Sequence, residues 1–144
     1  MKKWKSIKNE KNEVIQNIYG ENEIIVDYTY NEKGSMTSMI GSNGVWSKCY
    51  YDENNNCIKE EDHTGYWKTS IYNENNRCLE EHYNDGYWYK WKFTTLKNSN
   101  TLEEWEDKKG AWRKSEYNND YLFWSENSYS KKRTIHNTKK FKIK

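Results

Sequence analysis

Aromatic side chains recur along the chain at a nearly fixed interval, with short polar segments between them. Glycines lie at positions 44, 65 and 86, spaced by 21 residues, and at 110 after a further 24. A tryptophan follows each glycine after two residues, and a tyrosine or phenylalanine follows it after seven. These positions hold Trp46, Trp67, Trp88 and Trp112, and Tyr51, Tyr72, Phe93 and Tyr117. Such spacing indicates a repeat protein of about six copies, with degenerate ends and a three-residue insertion in the fifth.

Within one copy, the polar and apolar positions alternate as they do in a β-hairpin. Positions 46, 48 and 50 are predicted to lie on one face of a strand, and positions 47, 49 and 51 on the other. The segments DENNN (52–56) and NENNR (73–77) are rich in Asp and Asn, which favour turns. We therefore predict an all-β fold, an antiparallel meander of about six β-hairpin repeats of ~21 residues, as an open curved sheet or a partly closed barrel. The tryptophan set and the tyrosine and phenylalanine set should lie on opposite faces.

Charge divides the chain into two parts. Residues 131–144 contain seven basic residues and no acidic one, whereas residues 1–130 contain 17 basic and 22 acidic residues. We therefore predict one β-repeat domain over residues 1–130 and a basic C-terminal tail over residues 131–144. The tail is either a solvated terminus or a contact for RNA, DNA or an acidic protein surface. Its predicted contact residues are Lys131, Lys132, Arg133, Lys139, Lys140, Lys142 and Lys144.

No segment has the pattern of an export signal or a membrane span. The first residues are basic but lack the apolar stretch of a signal peptide. No apolar run approaches the roughly 20 residues that a membrane helix requires. The three cysteines, Cys49, Cys57 and Cys78, are predicted to be free thiols. Free thiols without an export signal predict a cytoplasmic protein with no membrane partner. Abundant Lys, Asn, Ile and Tyr are typical of AT-rich genomes and predict a low-GC bacterial host cell, or its phages and plasmids, as the origin.

The residue types that often carry catalysis or bind metals are present, but their spacing favours structural roles. Neighbouring glutamates recur at 60–61, 80–81 and 103–104, which is typical of solubilising charge copied with a repeat. The pairs Cys57 with His63 and Cys78 with His82 lack the C-x2-C spacing of zinc sites. No phosphate-binding loop or nucleophile motif occurs. We predict no catalytic residue, no metal site and no cofactor, and we expect that the protein is not an enzyme.

The stretch GYWYKWKF at 86–93 contains more aromatic residues than the other copies do. We call the recurring tryptophan and tyrosine or phenylalanine positions named above the template. Packing explains Trp88 and Phe93, because both hold template positions. The surplus aromatic residues are better candidates for binding, since tyrosine and tryptophan are favoured interface anchors. The predicted partner-binding residues are Tyr87, Tyr89, Trp91, Tyr66, Lys90 and Lys92. Interleaved aromatics and lysines also suit nucleic acid, with bases stacked on the rings and phosphates held by the lysines.

The G-x-W spacing combined with YDENNN at 51–56 resembles tyrosine–aspartate β-hairpin repeats of bacterial Rhs-type proteins. It looks still closer to short aromatic Gly-Trp repeat proteins of phages and mobile elements, and is loosely similar to MORN-type repeats. The resemblance covers roughly residues 23–125 and implies scaffolding and protein binding. Small mobile-element members imply an anti-CRISPR or other anti-defence inhibitor. A second resemblance, to aromatic repeats of bacterial surfaces, implies choline or glycan binding.

Three hypotheses follow from the sequence. The leading one is a non-enzymatic protein-binding inhibitor that occludes a surface of a host defence nuclease complex or a toxin. The second is nucleic-acid binding through stacked aromatics and the basic tail. Binding of choline or a glycan is a further alternative. The third is self-association into oligomers through exposed strand edges or faces.

Overall fold

The computed structural model describes residues 4–20, 23–118, 121–129 and 134–135, and every regular element in them is a β-strand. The all-β antiparallel meander predicted from the sequence is confirmed. Within this described part, no helix is long and apolar enough to cross a membrane. The strands are β1 (Trp4–Lys8), β2 (Val14–Tyr19), β3 (Ile24–Tyr30), β4 (Met36–Gly41), β5 (Trp46–Tyr51), β6 (Cys57–Asp62), β7 (Trp67–Tyr72), β8 (Cys78–Tyr83), β9 (Trp88–Thr95), β10 (Thr101–Asp107), β11 (Trp112–Asn118), β12 (Tyr121–Asn127) and β13 (Thr134–Ile135).

The strands belong to two compact units. Residues 1–76 contain β1–β7, and residues 77–144 contain β8–β13. In each unit the strands pair with their neighbours in chain order, and the first strand has no pairing with the last among the described residues. Each unit is therefore an open meander whose contacts join consecutive strands, as in other repeat proteins. The single domain over residues 1–130 stays a prediction.

One loop geometry closes most of the hairpins. The first and fifth loop residues are joined by a backbone hydrogen bond, as between Gly41 N–H and Val45 C=O at 2.7 Å, and the fourth residue has a positive φ, 84° at Gly44. Glycine and asparagine reach this left-handed conformation at the lowest cost. The residues with positive φ at this position are Asn12, Gly34, Gly44, Asn55, Gly65, Asn76, Gly86, Ser99 and Gly110.

The Asp or Asn that begins many of these loops caps the turn with its side chain. Asp52 Oδ1 accepts hydrogen bonds from the backbone N–H groups of Asn54 at 3.0 Å and Asn56 at 2.8 Å. Asn31 and Asp107 each accept the same pair of bonds within their own loops. These bonds explain the YDENNN motif, because a short polar side chain satisfies amides that the turn leaves unpaired.

Strand register separates the two aromatic sets, as predicted. Each tryptophan of the template is five residues from the next tyrosine or phenylalanine of the template, so regular alternation places them on opposite faces. We call the face that carries the template tryptophans the tryptophan face, and the opposite one the tyrosine face. In the first unit, Trp67 lies opposite Glu61 on the tryptophan face, whereas Tyr51 lies opposite Cys57 on the tyrosine face.

On the tyrosine face of the first unit, the template tyrosines tie neighbouring strands together. Tyr30 and Tyr51 donate hydrogen bonds to the carbonyls of Val14 and Met36, both at 2.8 Å. Tyr72 donates to the carbonyl of Cys57 at 3.2 Å. Each acceptor is the first residue of the preceding strand. The equivalent residue of the second unit, Phe93, has no hydroxyl, and the Arg77 guanidinium lies 5.0 Å from its ring.

The buried groups of the second unit include a charged residue with several partners. Glu116 is 8% exposed, and its carboxylate accepts hydrogen bonds from Trp124 Nε1 at 2.5 Å and Asn100 Nδ2 at 2.6 Å. Asn98 donates a longer one at 3.3 Å. Trp124 is the only apolar side chain that is buried among the described residues, so this network forms the most enclosed part of the unit.

Candidate functional site

Five aromatic side chains meet on the tyrosine face of the second unit, and we call them the aromatic cluster. Its members are Tyr83, Tyr87, Tyr89, Trp91 and Trp105. Alternation along the chain at positions 87, 89 and 91 brings three of the rings to one side, and Trp105 of β10 lies directly opposite Trp91 of β9. The cluster therefore arises where the surplus aromatics of one repeat pair with a tryptophan of the next strand.

Tyr89 is the centre of the cluster. Its ring centroid lies 5.3 Å from that of Tyr87, 5.8 Å from Trp91, 6.1 Å from Tyr83 and 6.4 Å from Trp105. The rings of Tyr83 and Trp105 meet it edge to face, at interplanar angles of 77° and 67°. Edge-to-face and tilted contacts at these distances are favourable. All five side chains are half-buried, so the rings pack against each other and also present surface.

A carboxylate fixes the outer end of the cluster. The Tyr87 hydroxyl donates a 2.5 Å hydrogen bond to Asp107, which is 9% exposed. This hydrogen bond, together with burial and the negative charge of Asp107, raises the pKa of Tyr87 to about 12. The same bond lowers the pKa of Asp107. The Lys109 ammonium lies 5.5 Å from the Tyr87 ring, a cation–π distance. Tyr87 is thus held as a neutral phenol in one orientation.

The predicted lysines do not share a surface with the predicted aromatics. Lys90 and Lys92 alternate with Tyr89 and Trp91 along β9, so they lie on the tryptophan face. Lys90 is 3.8 Å from Glu80, and Lys92 is 3.9 Å from Glu104. The Lys90 ammonium also lies 5.3 Å from the Trp88 ring. The structure therefore divides the predicted set into aromatics on one face and paired lysines on the other.

The tryptophan face of the second unit is a field of alternating charge. Lys92, Glu104, Lys114 and Glu126 lie opposite one another on four consecutive strands. Lys114 and Glu104 are joined at 2.6 Å, and this contact raises the pKa of Lys114. A depression of about 680 Å3 in this unit is lined largely by residues of this face. Its side chains of both signs neutralise each other, so it offers no strong field to a ligand of one charge.

The remaining predicted binding residues are Tyr66 and the seven tail contacts. Tyr66 belongs to the first unit, where its carbonyl accepts the backbone N–H of Asp62 at 3.0 Å and its side chain is half-buried. All seven predicted tail contacts, Lys131, Lys132, Arg133, Lys139, Lys140, Lys142 and Lys144, lie outside the described residues.

The neighbouring glutamates are divided between faces, as the alternation predicts. Glu60 lies opposite Cys49 on the tyrosine face, whereas Glu61 lies opposite Lys48 on the tryptophan face. Glu61 contacts Lys59 at 2.7 Å and accepts the Tyr50 hydroxyl at 2.7 Å. These contacts lower the pKa of Glu61. A pair split across a sheet cannot act together on one bond.

The cysteines have partners other than those considered from the sequence. Cys57 lies near Cys49 and Glu60, not in a pair with His63, whose ring contacts the carbonyl of Trp46 at 3.3 Å. Burial, followed by the charges of Cys49 and Glu60, raises the pKa of the Cys57 thiol to about 11. The signal that could have found this group was the hairpin register, because a five-residue loop at 52–56 brings Cys57 beside Tyr51.

The sequence reasoning also missed two members of the aromatic cluster. Tyr83 ends β8 and Trp105 lies in the inserted repeat, outside the GYWYKWKF stretch. Only the pairing of β9 with its neighbours brings them together.

A scan of the chain against models of protein families finds no match, and a search of curated proteins finds none either.

Proposed function

We propose that this chain is a non-enzymatic protein-binding repeat protein and that the aromatic cluster is its anchor. The observation that carries the proposal is the contiguity of five half-buried rings on one face of the second unit. The Tyr87–Asp107 bond and the ring contacts around Tyr89 hold the side chains in place before any partner arrives. A pre-ordered aromatic surface loses little conformational entropy on binding, which favours affinity.

The charges around the cluster are of both signs, which suits a protein surface better than a nucleic acid. Glu81, Glu103 and Asp107 share the face of the aromatic rings, since each lies opposite an aromatic residue of β9. Lys90 and Lys92 lie on the opposite face and contact glutamates. The Lys109 ammonium lies 5.5 Å from the Tyr87 ring and Arg113 lies opposite Trp105, so cations and carboxylates are mixed on this face. The face therefore lacks the continuous basic field with which proteins hold the phosphates of a nucleic acid. A protein surface that combines apolar groups with Lys or Arg suits the same residues, because cations also bind over aromatic rings.

The proposed mode of action is occlusion of a target surface. We propose an inhibitor that covers a surface of its target, of the anti-CRISPR or anti-defence type. The resemblance of the Gly-Trp and Tyr-Asp motifs to repeat proteins of phages and mobile elements supports this role. Occlusion needs a fixed surface and no chemistry, and a sheet of neighbouring hairpins supplies such a surface.

The test is capture of a partner by two matched double variants. Tagged full-length protein, Tyr89→Ala/Trp91→Ala and Lys90→Ala/Lys92→Ala are each used to capture proteins from nuclease-treated lysate of a low-GC bacterium. The two variants alter the same strand on opposite faces. Far-UV circular dichroism and thermal unfolding verify that each variant keeps its sheet.

We expect the aromatic variant to lose a stoichiometric partner and the lysine variant to retain it. Loss with the lysine variant alone would place the interface on the tryptophan face and reject the anchor. Unfolding of the aromatic variant would identify Tyr89 and Trp91 as structural; Tyr87→Phe, which keeps the ring and removes the bond to Asp107, then serves as the milder test.

A further inference from the structure

A group of two thiols and a carboxylate lies in the first unit, away from the aromatic cluster in sequence and in strand order. The ligand atoms of Cys49, Cys57 and Glu60 all lie within 4.8 Å of one another, and the three side chains are half-buried. The register produces this arrangement. Cys49 of β5 lies opposite Glu60 of β6, and a β-bulge at the next residues places Cys57 opposite Tyr51. All three side chains consequently share the tyrosine face.

The spacing of these atoms matches a tetrahedral metal site. With bond lengths of about 2.3 Å to sulfur and 2.0 Å to oxygen, tetrahedral ligands are separated by roughly 3.5–3.8 Å. Cys57 Sγ lies 3.7 Å from Glu60 Oε1. The Cys49 sulfur is within 4.8 Å of both atoms, so a small side-chain rotation completes the triangle. Three protein ligands leave a fourth position for water, an arrangement common for zinc.

The chemistry of the donors selects the class of metal. Two thiolates bind Zn2+ and other thiophilic ions, whereas Mg2+ and Ca2+ prefer sites made of oxygen alone. The Tyr51 hydroxyl lies near the thiols but donates to the carbonyl of Met36 at 2.8 Å, and Tyr51 therefore orders the site without being a ligand. The remaining cysteine, Cys78, contacts the carbonyl of Glu80 at 3.5 Å, as Cys57 contacts that of Lys59. Cys78 differs in its sequence neighbours, because serine, Ser70, holds the Cys49 position of its copy.

The group is also a departure from the repeat. A shift of 21 residues towards the N-terminus replaces it with apolar or aromatic residues, and a shift towards the C-terminus leaves one thiol. The corresponding positions are Tyr28, Met36 and Met39 in the earlier copy, and Ser70, Cys78 and Glu81 in the later one. Copying of the template therefore explains one cysteine and one glutamate but not the meeting of two thiols with a carboxylate.

We propose that Cys49, Cys57 and Glu60 form a binding site for Zn2+ or a similarly thiophilic divalent ion. This site departs from the expectation, drawn from the sequence, that the protein binds no metal. It is independent of the proposed partner-binding function, because its residues belong to the other unit and its measurement needs no partner.

The test uses full-length protein that has been reduced and freed of metal. Zn2+ is titrated in competition with a chromogenic chelator, and Co2+ serves as a spectroscopic probe because thiolate ligands give it a charge-transfer absorption. We expect a single equivalent of tightly bound metal, a thiolate-to-cobalt band and a rise in the unfolding temperature with Zn2+. Cys49→Ser, Cys57→Ser and Glu60→Gln should each weaken binding by at least the roughly 10–100-fold seen when outer-shell partners are lost.

Cys78→Ser is the matched control, since it removes a cysteine of the same repeat phase as Cys57 and should bind as the unaltered chain does. Equal binding by Cys49→Ser, Cys57→Ser and the unaltered chain would overturn the proposal, as would a cobalt complex without a charge-transfer band. A Cys49–Cys57 disulfide whose reduced form binds no zinc would overturn it too. Glu60→Gln keeps both thiols, so its loss of affinity remains informative if a cysteine variant fails to fold.

Discussion

The tyrosine hydroxyls that join neighbouring strands are predicted to contribute measurably to the stability of the first unit. Tyr51→Phe removes one O–H group and leaves the ring in place, so it isolates the 2.8 Å bond to the Met36 carbonyl. A typical internal hydrogen bond contributes about 0.5–1.5 kcal/mol. Because Tyr51 is half-buried, water can partly replace its hydroxyl, and we expect a loss of about 1 kcal/mol.

Two further substitutions test whether the contribution follows bond geometry. Tyr30→Phe removes an equally short bond and should cost the same, whereas Tyr72→Phe removes a 3.2 Å bond and should cost less. Successive template tyrosines are two strands apart, roughly 9–10 Å, so the three losses should add to within about 0.5 kcal/mol. Tyr129→Phe is the control, because Tyr129 is 87% exposed.

The assay is urea denaturation of the full chain, followed by far-UV circular dichroism, with the slope of free energy against urea compared between variants. A loss below about 0.3 kcal/mol for Tyr51→Phe, or a larger loss for Tyr72→Phe than for Tyr51→Phe, would show that these hydroxyl bonds do not stabilise the unit as their geometry predicts.

The same substitution has a signature at high pH. Burial, followed by Cys49 and Cys57, raises the pKa of Tyr51 from 10.0 to about 12. The folded state then holds the phenolic proton more tightly than the unfolded state does. The resulting stabilisation is complete below pH 10 and is lost as the pH rises from 10 towards 12. The unaltered chain should therefore lose more stability across this window than Tyr51→Phe, and parallel profiles would contradict the assignment.

Three other predictions concern the buried network and the loops. Glu116→Gln should destabilise the chain by about 2 kcal/mol in denaturation, because it weakens two short bonds to a charged acceptor, whereas the exposed Glu106→Gln should have little effect. Asp52→Asn should preserve the loop, since Asn31 holds the same position and makes the same bonds. Loop hydrogen bonds lower the pKa of Asp52, so its carboxylate stabilises the folded chain above the ordinary Asp pKa of 3.8, and this stabilisation is lost as the pH falls below that value. Asp52→Asn should remove this dependence of stability on pH. Gly65→Asn should unfold at a higher temperature than Gly65→Val, since φ is 85° there and Asn tolerates this conformation.

The fold could be predicted from the sequence because each copy of the repeat contains its own strand and turn signals. Alternation determines which face each side chain lies on, and a glycine or asparagine marks the residue with positive φ in most hairpin loops, as at Gly44 and Asn55. The template repeats these signals often enough that a degenerate copy does not obscure them. Alternation is compatible with an open sheet and with a partly closed one, so the choice between these alternatives required the strand pairing within each unit.

The candidate site was predicted less completely, since it depends on contacts between strands. The surplus aromatics Tyr87, Tyr89 and Trp91 were visible in the sequence, but Trp105 joins them through cross-strand register across a loop with an insertion. The prediction from the sequence grouped Lys90 with these aromatics. The same alternation that predicts the fold places Lys90 on the opposite face of the strand. Cys49 and Cys57 likewise meet only once the bulge after Tyr50 is known.

The most direct test of the central proposal is to ask which face of the second unit touches the partner. Arg113 and Lys114 are neighbours on β11 that lie on the tyrosine face and the tryptophan face, opposite Trp105 and Glu104. A photoreactive amino acid is placed at each position in turn, and cross-linked products are compared after irradiation with the captured partner. We expect cross-linking from position 113 and not from position 114. Cross-linking from 114 alone would contradict it, because the aromatic cluster would then face away from the interface.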